Sequence, residues 1–129
     1  MNTYINPAQL TKPTGYTHVV RTGPGKTVYI SGQIAFDKDG KVVGAGDFRA
    51  QAVQVFENLK AALSAAGATF ENVVKVTMFI TDIKNAPILR EVRTGYYGSN
   101  PPASTLVQIS GLVVPELLLE VEAIAVVPE

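Results

Sequence analysis

Residues 48–80 read FRAQAVQVFENLKAALSAAGATFENVVKVTMFI, and the spacing of their apolar residues changes once along the way. Phe48, Ala52, Val55, Phe56, Leu59, Leu63 and Ala66 recur at helical intervals, with Arg49, Gln54, Glu57 and Lys60 mostly outside that stripe. Asp47 stands where an N-cap is needed and Gly67 where a left-handed stop is needed. The spacing predicts a helix over about 48–66. From Val73 to Ile80 the letters turn β-branched, with Lys75 and Thr77 on one face and Val74, Val76 and Met78 on the other, which predicts a strand. Burying three or four large side chains of the helical stripe contributes ~1.5–3 kcal/mol each. The helix therefore has to lie on a sheet or on another helix.

Upstream, residues 1–15 carry Pro7, Pro13 and Gly15 and read as an irregular lead-in. β-Formers cluster from Tyr16 to Arg21 and from Thr27 to Gln33, separated by Gly23-Pro24-Gly25, which is a hairpin signal. Asp37-Lys38-Asp39-Gly40 marks a second turn, between Ile34-Ala35-Phe36 and Val42-Val43. Downstream, Asn85 and Pro87 open a second helix over about 86–97, closed near Gly98. Pro101-Pro102 forces an extended approach to a strand at 105–110, and a last strand spans 117–127. That last strand is apolar on both faces except for Glu120 and Glu122, so it asks for cover on both sides. Two helices supply one side, and a second copy of the chain is the economical cover for the other. The expected fold is a single α+β domain over 1–129, a mixed sheet with two helices on one face.

The chain has 129 residues, 47% hydrophobic and 17% charged, which suits one domain with a proper core. Lys+Arg and Asp+Glu both number 11, so no net field draws nucleic acid or an anionic membrane. There are no cysteines, which removes disulfides, thiolate metal sites and a cysteine nucleophile, and fits a reducing cytoplasm. The first residues lack the pattern of a signal peptide, and no apolar run approaches the ~20 residues that span a bilayer.

Candidate chemistry is sparse. His18 is the single histidine, on a strand, and serves either as a hydrogen-bonding wall residue or as a catalyst. Ser31-Gly32 ends a strand, where Gly32 lets a ligand approach the backbone. Glu120 and Glu122 share a strand face, which is either a solvated rim or a cleft where one glutamate handles water or a proton. Arg90 and Arg93 lie one helical turn apart, with Tyr97 beyond, forming either a solvated face or a cationic wall for an acid. No metal-ligating constellation is present, and Gly23-Pro24-Gly25-Lys26 lacks the spacing of a phosphate loop.

Taken in order, Tyr16, VYISGQIAFDKDGKVV, the helix–strand unit through ITD, PPASTLVQISGL and LLLEVEAIAVV resemble the Rid family, also called YjgF-type, from about Pro13 to Val127. The resemblance implies a chorismate-mutase-like α+β fold and a homotrimer with clefts between neighbouring subunits. It implies cofactor-free hydrolysis of 2-imino or enamino acids to 2-keto acids and ammonia in those members that are enzymes. It places Tyr16, Ser31, Gly32, the turn carrying Ser104, Thr105 and Leu106, and Glu120 around the cleft, with Glu120 catalytic. Arg90 falls where such enzymes often have an asparagine. The deaminating members carry a carboxylate-gripping arginine after Pro-Ala, and this chain has Ser104 there. Exchanging that fork for one neutral hydroxyl costs ~2–4 kcal/mol of carboxylate binding. The PPAST version resembles the family's arginine-lacking branches. The expectation is a trimeric small-molecule-binding or regulatory protein, or a hydrolase of a different imine- or enamine-like metabolite. The alternative is an imine deaminase of the usual kind. A ligand would be a small organic acid, with Arg90 or Arg93 standing in for the missing arginine.

Overall fold

The computed structural model describes residues 1–129. Strands β1 (Thr3–Ile5), β2 (Val19–Arg21) and β3 (Gly25–Gln33) precede helix α1 (Phe48–Ala65). Strand β4 (Val73–Ile80), helix α2 (Ala86–Thr94), β5 (Ala103–Gln108) and β6 (Leu119–Pro128) follow. The main sheet has the order β3-β6-β4-β5, with β6 antiparallel to both neighbours and β5 parallel to β4. Two parallel neighbours require a crossover, and α2 supplies it.

Helix α1 forms as its letters dictate. Asp47 sits in extended geometry and its Oδ1 accepts the Ala50 N–H at 3.1 Å, while Gly67 closes the end at φ +73°. Phe48, Ala52, Val55, Phe56, Leu59 and Leu63 are buried against the sheet, and Ala66 lies past the last turn in solvent. One buried residue of the helix is polar. Gln51 is fully enclosed, its Nε2 donating to the carbonyls of Gly44 (3.2 Å) and Glu116 (2.8 Å) and its Oε1 accepting the Leu118 N–H (2.9 Å). Those bonds tie the helix to the loops before it and before β6, satisfying three backbone groups in the interior.

Sheet faces follow from pairing register. Val76, Met78 and Ile80 of β4 meet Ala123, Val121 and Leu119 of β6 beneath the helices. Val73 and Val74 are both buried because the ladder shifts register between Val73 and Lys75. The other face carries Tyr29, Lys75, Thr77, Phe79, Thr105, Val107, Glu122 and Ile124, with Tyr29 79% exposed. Nothing within the chain covers it. No helix is long and apolar enough to cross a membrane.

Three expectations need correction. The hairpin across Gly23-Pro24-Gly25 does not form, since β2 pairs with β1 and β3 pairs with β6. A nine-residue strand gains far more ladder bonds and core burial from the ten-residue β6 than from a three-residue neighbour. Gly25 allows the close approach, because a Cβ there would meet the Val127 carbonyl and the Val126 side chain. Second, the lead-in is not wholly irregular, since β1 lies within it. Third, α2 stops at Thr94 instead of reaching Tyr97. The N–H groups of Tyr96 and Tyr97 both turn back to the Arg93 carbonyl at 2.9 Å, and the two rings pack on Phe56 with centroids 5.2 and 6.1 Å away. Burial of two aromatic rings outweighs one more helical turn.

Gln51→Leu keeps the volume but orphans the Glu116 carbonyl and the Leu118 N–H, while the Gly44 carbonyl keeps the Asp47 N–H. The expected loss is roughly 2–4 kcal/mol of unfolding free energy, read as a lower urea midpoint with an unchanged slope.

Candidate functional site

Helix α2 turns Ala86, Leu89 and Arg93 toward the core and leaves Arg90 one turn away at the surface. Beside it, Ser104 and Leu106 of β5 pair with Val76 and Met78 and so share the helix side of the sheet. The lead-in crosses both, bringing Lys12, Thr14 and Tyr16, and these elements enclose a depression of about 530 Å³.

The lead-in is held as a strap. The Thr17 N–H bonds the Pro102 carbonyl (3.1 Å), and the Thr17 hydroxyl bonds the Pro101 carbonyl (2.6 Å). His18 Nε2 lies 2.6 Å from the Thr11 carbonyl, which makes that nitrogen the protonated donor, and the ring packs edge-on against Tyr16. The histidine is therefore a structural fastener of the strap. At Gly15 the chain needs glycine twice over: φ is +76°, and a Cβ would come within 2.6 Å of an Arg93 guanidinium nitrogen.

Arg93 is the unusual group. The residue is 6% exposed, and from five N–H donors its side chain makes a single long protein bond, Nη2 to the Thr14 carbonyl at 3.4 Å. Burial lowers its pKa; the nearby Tyr97 opposes that shift and Arg90 adds to it. No acidic residue lines the depression. Glu91, the neighbouring acid on α2, reaches instead to Arg49, in an exposed pair. The Tyr97 hydroxyl is buried without a hydrogen-bond partner, and burial raises its pKa beyond the usual phenol range against the pull of Arg93.

A second cluster lies elsewhere. The Glu120 side chain lies over Gly32, so closely that a Cβ at Gly32 would overlap the carboxylate. Gly32 and exposed Ser31 sit where the β3–β6 register shifts, which brings that backbone against Glu120. Glu120 pairs with Phe79 of β4, whereas Ser104 pairs with Val76. Three residues along a strand is a change of face, so Glu120 and Ser104 lie on opposite sides of the sheet within one chain. Thr105 is also on the outer face, where its hydroxyl accepts from Lys75 Nζ at 2.8 Å. The structure thus brings Tyr16, Arg90, Arg93, Ser104 and Leu106 together, and Gly32 with Glu120 separately. Lys12 and Thr14 escaped sequence reasoning, because a lysine between threonine and proline carries no periodic or motif signal. No group of three or more histidine or acidic side chains is arranged to hold a metal ion.

A family model described as Endoribonuclease L-PSP matches residues 7–127. The protein DfrA of Myxococcus xanthus is 40% identical over 123 residues, covering 95% of this chain and 93% of its own. The crystal structure of YyfB of Yersinia pestis, a Rid-family protein described as of unknown function, superposes with a TM-score of 0.91 at 34% identity over 98% of each chain. The crystal structure of E. coli TdcF with bound serine superposes with a TM-score of 0.72 at 33% identity, over 81% of this chain and 84% of that one. The chain belongs to the Rid (YjgF, endoribonuclease L-PSP) family.

Tyr97 and Tyr96 set an alkaline limit. Burial and the hydrogen bond to Glu57 push the Tyr96 phenol up to about 12, and Tyr97 is held higher still by burial. Unfolded phenols ionise near about 10, so above that pH the unfolded state sheds protons that the native state keeps. The contribution of these two phenols is then constant below about pH 9 and falls as pH rises beyond 10. Tyr97→Phe removes a hydroxyl with no partner, so the urea midpoint at neutral pH stays level or rises, and the alkaline decline becomes shallower.

Proposed function

We propose that this Rid-family protein binds a small organic acid in clefts between copies of itself, with Arg93 and Arg90 holding the carboxylate. The observation that carries this is the buried Arg93 guanidinium. Its donors are largely unspent, it lines a depression with no acid to answer it, and Ser104 beside it can give one neutral hydrogen bond. A guanidinium at the floor of a depression, with most of the residue buried, gains from a forked pair with a carboxylate. TdcF, a relative, holds serine, which carries a carboxylate.

A homotrimer is the arrangement that fits. The sheet face away from the helices exposes Tyr29, Val107 and their neighbours, and burial of such a face is what a second copy provides. Glu120 points to that face while the cationic depression lies on the other side. Contact between copies is the route by which one chain's Glu120 and Gly32 face another's Tyr16, Ser104 and arginines. The cysteine-free chain suits the cytoplasm.

Binding without turnover of ordinary 2-imino acids is the primary reading, in a regulatory or carrier role. The carboxylate of Glu120, lying over the backbone of Gly32, favours a second reading, hydrolysis of a different imine or enamine. There Glu120 takes a proton from water as the water oxygen bonds the C=N carbon and the π pair moves to nitrogen. Glu120 hands that proton to the nitrogen, and the amino alcohol then loses ammonia as its hydroxyl proton passes to the nitrogen and C=O forms, leaving the ketone. Water is the only co-reactant, so no cofactor is needed.

With 2-iminobutyrate generated in solution, keto-acid release is expected to run no faster than in buffer. Acceleration abolished by Glu120→Ala would sink the binding reading and restore the deaminase one. By calorimetry, a short carboxylate is expected to bind the wild type, and Arg93→Met to weaken it by about tenfold or more, the scale of a lost charge-assisted bond. Sedimentation at micromolar concentration is expected to give a trimer, and a monomer would remove the cleft between copies.

A further inference from the structure

We infer that the ligand of this cleft is a small aliphatic dianion, such as a dicarboxylate or a phosphate ester; the inference rests on the depression being an acid-binding site. Three cations line it, Lys12, Arg90 and Arg93, and no Asp or Glu does. The chain as a whole is electrically balanced, with 11 basic and 11 acidic residues, so this excess is local. The acids nearby on the surrounding elements are engaged elsewhere. Glu91 pairs with Arg49, Glu57 accepts from the Tyr96 hydroxyl at 2.7 Å, and Asp82 accepts the Lys84 N–H at 2.9 Å. If a neighbouring copy brings its Glu120 to the rim, two positive charges still go unanswered. A single carboxylate neutralises one of them.

Geometry divides the cations into two receptors. Arg93 forms the floor, buried, on the core side of α2. Arg90, one turn along with a Cβ about 5–6 Å away, stands exposed at the rim, and Lys12 approaches from the strap. Neither rim cation forms a salt bridge, since the single ion pair within the chain is Arg49–Glu91. Leu89, Leu106 and Ala86 line the space between floor and rim. One anionic group forks onto Arg93, a few methylenes lie along the leucines, and the second anionic group sits between Arg90 and Lys12.

The test is titration calorimetry of the full-length assembled protein, at near-neutral pH and low salt, with butyrate, glutarate and inorganic phosphate. Glutarate is expected to bind about tenfold or more tightly than butyrate, the scale of one added charge-assisted contact. That advantage is expected to shrink as salt is raised, and to fall to roughly threefold or less in Lys12→Met. Lys12 is exposed, so the variant keeps the fold, and a matching thermal melt verifies it. Phosphate binding tighter than glutarate supports the dianion and places both charges on one phosphoryl group. Weaker phosphate with strong glutarate supports it and assigns two carboxylates. Equal affinity for butyrate and glutarate overturns the dianion and leaves a single-carboxylate site. Binding of none of the three overturns the acid-binding reading itself.

Discussion

Strand β6 lies between β3 and β4, so its alternation governs both faces of the molecule. Leu119, Val121, Ala123 and Ala125 point under the helices and are buried, while Glu120, Glu122 and Ile124 take the positions between them and face outward. A slip of one residue would drive two carboxylates into the core, which costs far more than any single contact in the fold can return. That constraint fixes the register of β4 and, through β4, of β5. It also puts Glu120 on the face that α1 and α2 leave open. Ser104, three β4 positions away, is left on the helix side. The separation of acid and cation follows from strand geometry.

The cationic side rests on a costly choice. Arg93 is mostly buried and makes one long protein hydrogen bond, so its burial carries a desolvation cost that a charged partner would offset. The strap of residues 11–17 makes that burial possible, with Thr17 fastened to the Pro101 and Pro102 carbonyls and His18 to Thr11. Gly15 lets the strap lie directly on Arg93. Stability given up at such a point is the usual mark of a group kept ready for something else. The orphaned Tyr97 hydroxyl beneath it belongs to the same pattern.

How much of this was legible depends on the range of the signal. Helix α1, its Asp47 cap, its Gly67 stop and β4 could be read because their information is local and periodic. The pairing of β1 with β2 could not, since three-residue strands have no period and Thr3 finds Arg21 far along the chain. The end of α2 was misread because the pull on Tyr96 and Tyr97 comes from Phe56 and Phe70, outside the window any helix rule inspects. Gln51 falls outside an apolar stripe by its letter, and only the carbonyls around it explain its burial. In the depression, Tyr16, Ser104 and Leu106, which the family resemblance placed around a cleft, lie with the two arginines of α2, while Ser31, Gly32, Thr105 and Glu120 lie elsewhere. Lys12 was missed, and Arg93 is buried although its letter suits a solvated face equally well.

Ser104 itself acquires a physical reason from this arrangement. An arginine at 104 would project its guanidinium from β5 into the depression that Arg90, Arg93 and Lys12 already line. Arg93 has little water around it to screen a further positive neighbour, and Arg90 already lowers its pKa. Like charges within about 4–6 Å in a desolvated setting disfavour the charged state of each, so a fourth cation would erode the grip of the buried one. A hydroxyl adds a donor without adding charge. Under the proposed acid-binding reading, the serine complements the arginines of α2: where the helix carries the cations, β5 adds a donor without charge.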